Sequence, residues 1–215
     1  MRTLVHGRIE LAVHELQRGD GRPLLLLHGL GERTPVSLPV HLEGRWPGPV
    51  LGLDFTGHGD STLPVGGGYY CEVLMGDVDT VIADVGPITI VGRGLGAYVG
   101  LLTAGSRPTD VRGVVLADGP GLYGGSAGPS SPTVIMVEPG TASPDPYALV
   151  ELSHDIRPAD YATSFARQAT HLSGLATPIC ITTVGRPAWL AAVADEPGVQ
   201  TCSLDDALAG YAGLE

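Results

Sequence analysis

The residues best spaced to do chemistry are Gly92-Arg93-Gly94-Leu95-Gly96. A short apolar run, Ile88 to Val91, breaks there, and small and apolar residues restart at helical spacing through Leu95, Val99 and Leu102. That pattern predicts strand, sharp turn, helix. Such a turn presents one side chain at its tip and free backbone N–H groups at the start of the helix, and two chemistries use it. In G-x-S-x-G the tip is a serine that attacks a carbonyl carbon; here the tip is Gly94. In G-x-G-x-x-(G/A) the glycines let a pyrophosphate approach the helix N-terminus, and Gly92, Gly94 and Ala97 fit that pattern. Asp118, closing the next apolar run, Val111 to Ala117, lies near the spacing of a ribose-binding acid.

The elements that must hold this turn are legible from composition and period. With 215 residues, 43% hydrophobic and 16% charged, the chain has the makings of one α/β domain with a sizeable core. All 12 basic residues are arginine and glycine reaches 32, a bias of GC-rich, bacterial coding rather than of chemistry. A net charge of −11 repels phosphate backbones and anionic lipid, so neither nucleic acid nor membrane is an expected partner. No apolar run approaches the ~20 residues of a bilayer span. Three unpaired-looking cysteines, Cys71, Cys180 and Cys202, and an N-terminus that alternates from the start set the expectation of a cytoplasmic protein with free thiols.

Alternation over residues 3–16 predicts a hairpin, and Pro23 to Leu27 and Val50 to Leu53 read as strands buried on both faces. Residues 35–43 read as a short, proline-interrupted helix, and 71–85 as an amphipathic one. After Asp118 a Gly-, Pro- and Ser-rich stretch carries one short strand, Val134 to Val137, followed by helical pieces near 145–153 and 158–173. Then come a strand at 178–184, a helix at 188–194, a strand at 199–202 and a capped helix opening at Ser203-Leu204-Asp205-Asp206.

Three motifs stand in order on this frame: His28-Gly29-Leu30-Gly31 after one strand, Asp54-Phe55-Thr56-Gly57-His58-Gly59-Asp60-Ser61 after the next, and Gly92 to Gly96 later. Together they resemble the α/β-hydrolases. The resemblance implies a mostly parallel, twisted sheet with helices on both faces, a single domain over 1–215, and a reduced lid over 119–176. A dinucleotide reading accounts for the last motif only.

The resemblance also implies a serine on the turn, an acid after the penultimate strand and a histidine after the last. Gly94 stands at the first position, Gly185-Arg186-Pro187-Ala188-Trp189 lacks the aspartate at the second, and no histidine follows His171. The run Gly92 to Tyr98 is similar to the turn of the Ndr (N-myc downstream-regulated) proteins, a branch regarded as lacking hydrolase activity. The expectation is therefore a catalytically degenerate member that binds a small carbonyl- or carboxylate-bearing molecule, or a protein partner, at the old active site. The backbone N–H groups of Leu30 and Leu95 would form the oxyanion hole, with Arg93 and His28 beside it. Asp118 is a possible alternative acid, and the lid histidines His154 and His171 are possible bases. Cys71, at a helix start that lowers thiol pKa, has a buried structural role as its ordinary reading. His58 with Asp60 is too little for a metal site, and no cofactor is implied. The alternatives are an active ester or amide hydrolase with a non-standard catalytic set, and a dinucleotide-binding protein.

Overall fold

The computed structural model describes residues 1–125, 137–138 and 140–214. Its centre is one eight-stranded sheet in the order β1-β2-β4-β3-β5-β6-β7-β8. The hairpin β1 (Arg2–His6) and β2 (Ile9–Gln17) is antiparallel, and β2 joins β4 (Val50–Leu53) in the same sense. From β4 onward, β3 (Leu24–Leu27), β5 (Ile88–Arg93), β6 (Val111–Ala117), β7 (Ile179–Ile181) and β8 (Val199–Thr201) all run parallel. The parallel strands are short and apolar because helices cover both faces, leaving no solvent side to favour alternation.

Side chains one apart on a strand point to opposite faces, and the two cores follow from that. Leu25, Leu27, Ile88, Ile90, Val114 and Leu116 pack under α1 (Cys71–Val85), α2 (Leu95–Ser106), α4 (Ala159–Leu172) and α5 (Ala188–Ala194). Leu24, Val50, Val115 and Cys180 face the other way, against Leu42, Trp46 and α6 (Leu204–Ala212). Helix α2 is buried along Leu95–Gly105. Its small residues permit this: a Cβ on Gly96 would lie 2.5 Å from the Leu27 carbonyl oxygen.

Two expectations change. Residues 35–43 form only a 3₁₀ turn, Val40–Leu42, because Pro35 and Pro39 remove donors and restrict the residues before them. Within 119–176, α4 packs against α2 and α5 in the layer on the sheet face, which leaves α3 (Pro146–His154), among the described residues, as the one helix of that range outside the layer. Residues 134–136 of the expected strand Val134 to Val137 lie outside the described residues. Among the described residues no helix is long and apolar enough to cross a membrane.

Candidate functional site

The turn between β5 and α2 is made at Gly94, with φ 58° and ψ −117°. Positive φ disfavours any residue with a Cβ. Space forbids one as well: a Cβ on Gly94 would lie 2.0 Å from the Pro120 carbonyl oxygen and 2.6 Å from the Gly119 carbonyl carbon. The chain leaving β6 therefore passes through the volume that a side chain at the tip would fill.

The same carbonyl closes the neighbouring donors. Leu30 N–H donates to Pro120 O at 3.0 Å and Leu95 N–H donates to it at 2.9 Å. The two N–H groups expected to stand free as an oxyanion hole thus already hold an oxygen. It also covers the α2 N-terminus, where the dinucleotide reading would place a pyrophosphate.

Residues 119–122 are held from behind. The Arg157 guanidinium donates through Nη1 to the carbonyl oxygens of Gly121 and of Leu122, the latter at 2.7 Å. Trp189 Nε1 donates to Leu122 O at 2.9 Å. Tyr98 organises both, lying 4.8 Å under the Arg157 guanidinium and edge-on to Trp189 with centroids 5.0 Å apart. Arg157 is buried, and its Nε and Nη2 have no partner among the described residues. Neither Pro120 nor Arg157 was singled out by the sequence. The signal available was Gly119-Pro120, a turn pair directly after a buried strand.

The remaining expected residues are largely occupied by the fold. Arg93 donates through Nε and Nη2 to the Glu32 carboxylate at 2.9 and 2.8 Å, and Glu32 also accepts from Gly29 N–H at 3.0 Å. His28 has Nδ1 2.8 Å from Gly29 O, so that nitrogen carries the proton, while Nε2 accepts from Phe55 N–H at 3.1 Å. Burial, reinforced by the neighbouring His58, pushes the His28 pKa down to about 4. Burial lowers His58 too, and its ring bridges Thr56 O and Gly31 N–H in the same way. Both histidines are neutral struts between loops.

The Asp118 oxygens accept the N–H groups of Val184 at 2.7 Å and Gly185 at 3.1 Å. Those bonds fix the loop after β7, where no aspartate stands. After β8 the chain turns at once into α6, capped by Ser203 Oγ accepting from Asp206 N–H at 3.1 Å. His154 ends α3, with Nδ1 2.8 Å from Val150 O, and His171 lies in the last turn of α4. Both are exposed. Cys71 is buried, in line with its ordinary structural reading, and burial pushes its thiol well up rather than the helix start lowering it.

His14, Asp54 and Asp60 offer ligand atoms within 4.8 Å of one another. Asp54 already accepts from Thr34 N–H, Asp60 N–H and His14 Nε2 at 2.7, 2.9 and 3.0 Å. This cluster is sufficiently explained as the anchor of the loop after β4.

On the α6 side of the turn, His28, Arg93 and Asp118 reach the wall of a cavity of about 450 Å³. Leu30 and Leu95 do not line it.

Residues 24–214 match the model of the alpha/beta hydrolase family. An (E)-2-((N-methylformamido)methylene)succinate hydrolase of Acinetobacter baylyi is 24% identical over 107 residues, 49% of this chain and 41% of that protein. The match thus spans less than half of that relative. Among solved structures, the thioesterase domain of the curacin biosynthetic pathway superposes with TM-score 0.65 at 16% identity, covering 98% of this chain and 96% of that one. A carboxylesterase of the thaumarchaeon Nitrososphaera gargenis gives TM-score 0.65 at 12% identity, over 94% and 89%. Likeness at these identities speaks for the fold.

Proposed function

The chain belongs to the alpha/beta hydrolase family, and from that premise we propose that it binds a small carbonyl- or carboxylate-bearing molecule without hydrolysing it. One observation carries the reading: the Pro120 carbonyl accepts from both Leu30 and Leu95 N–H groups while leaving no room for a side chain at Gly94. Acyl transfer needs a nucleophile and donors aimed at the developing oxyanion. Here the nucleophile position holds glycine, and the donors are satisfied by the chain's own carbonyl. The base and acid positions agree, since neither loop carries a histidine or an aspartate.

A second reading, an ester or amide hydrolase with a different catalytic set, is favoured by the hydrolytic activities of the succinate-derivative hydrolase, thioesterase domain and carboxylesterase named above. One experiment separates the two. Purified protein is assayed with nitrophenyl esters of short and medium acyl chains and treated with a fluorophosphonate, labelling being read by intact mass. Gly94→Ser runs in parallel. The binding reading expects no turnover and no label in wild type. It also expects Gly94→Ser to stay silent, because the serine would meet Pro120. Turnover with a labelled wild-type peptide would establish the hydrolase and name its nucleophile.

A further inference from the structure

The cavity beside the turn is built from a helix that does not form. Residues 33–42 run as coil and a single 3₁₀ turn, so the α6 face of the sheet is left partly bare at the C-terminal ends of β3 and β5. Leu26 and Val91, on adjacent central strands paired Leu26↔Val91, are only half-buried there. Central strands usually have such residues covered, and their exposure has a cost that a ligand would recover. The cavity measures about 450 Å³, within the range that small ligands occupy. Its place outside the carboxyl ends of parallel strands is where open α/β sheets take ligands.

The rim offers an occupant hydrogen-bond donors. Its two acids accept hydrogen bonds from the protein, half-buried Glu32 from Arg93 and Gly29 N–H, and exposed Asp118 from Val184 and Gly185 N–H. Its donors are less committed. Arg93 uses only Nε and Nη2, and Arg33 uses only Nη2, on Asp60 at 2.8 Å. Among the described residues Arg93 Nη1, Arg33 Nη1 and the His41 ring carry no hydrogen bond, and all three side chains line the cavity and are exposed. An apolar floor under spare guanidinium donors complements an apolar body ending in a carboxylate.

We propose that this cavity is the ligand site, and that it takes a small carboxylic acid whose apolar part lies on Leu26 and Val91 and whose carboxylate meets Arg93 and Arg33. The inference rests on the binding reading above and deepens it, placing the ligand beside the closed oxyanion hole rather than in it.

The test titrates ¹⁵N-labelled full chain with octanoate, 1-octanol and octylamine, following amide shifts. Octanoate should move Leu26, Leu42 and Val91, and bind at least about tenfold tighter than the alcohol or the amine. Arg33→Gln with Arg93→Gln should weaken octanoate about tenfold and leave octanol unchanged. Both arginines are more than half exposed, with relative accessibilities of 53% and 52%, so the double variant is expected to fold. Equal affinity for acid and alcohol would overturn the assignment. So would shifts centred on Leu30 and Leu95, or an absence of shifts. A parallel assay with 4-nitrophenyl octanoate keeps the two readings apart. Nitrophenolate release with the cavity shifts intact sinks the non-hydrolytic reading alone, and absent shifts without release sink the cavity site alone.

Discussion

At the scale of single residues, His28 carries the clearest pH consequence. Its pKa lies near 4 in the fold and near the usual ~6.5 unfolded, so the unfolded chain binds the extra proton first. A lowered histidine contributes its full stability above about pH 6.5 and loses it as pH falls toward 4. Urea unfolding at steps between pH 7 and pH 4 should therefore show stability falling by on the order of 3 kcal/mol. His58, shifted in the same direction, adds to the slope. A flat profile would mean that these rings are not buried neutral. His28 also shows what a sequence conceals. Its position in the loop motif was legible, but a motif does not say whether ring nitrogens face a ligand or the backbone. Gly94 was legible as an empty tip. That the emptiness is filled by Pro120, twenty-six positions on, depends on how a loop after another strand closes, which no local pattern encodes.

At the scale of elements, strands and helices were readable because their periods are strong: the apolar strands β3 to β7, the amphipathic α1, and the Ser203 cap of α6. The failures fall where competing rules were close. Residues 35–43 read as a short helix interrupted by proline, and Pro35 and Pro39 reduce it to one 3₁₀ turn. The resemblance implies one lid after β6, whereas α4 buries Ala162, Ala166 and Ala169 and joins the layer on the sheet. What holds the closing loop 119–122 is Arg157, which no periodicity flags. Arg157→Met removes both carbonyl contacts and the stacking on Tyr98. Gly121 O loses its side-chain donor while Leu122 O keeps Trp189 Nε1, so the cost is about 1–3 kcal/mol at most, and the loss should be concentrated in the loop. Hydrogen exchange checks this: the Leu30 and Leu95 amides, slow in wild type, should exchange faster in Arg157→Met while the β5 and β6 amides change little. Unchanged protection at Leu30 and Leu95 would show that Pro120 stays in place without the arginine.

At the scale of the whole molecule the two faces are unequal. Four helices cover one, and α6 with Leu42 and Trp46 covers the other. Arg22 fastens the thin side, donating to the carbonyl oxygens of Tyr211 and of Leu214, the latter at 2.9 Å. Leu208, buried on α6, therefore supports much of that face. Leu208→Ala should cost about 2–5 kcal/mol, read as a lower urea midpoint at unchanged slope. A cost below 1 kcal/mol would mean that the face is held from elsewhere. The order of motifs along the chain was enough to foresee the sheet, because that order fixes which strands are central, but it carried no information on how thinly one side is roofed. The placement of Pro120 also bears on mutational history. A serine arriving first at position 94 collides with that oxygen and is selected against on stability alone, while a loop that withdraws first exposes two donors with nothing to attack beside them. On the proposed reading, a gain of hydrolysis needs the loop to withdraw before a serine is tolerated, with a base and an acid still to come, so the early steps bring no benefit and the state behaves as a ratchet.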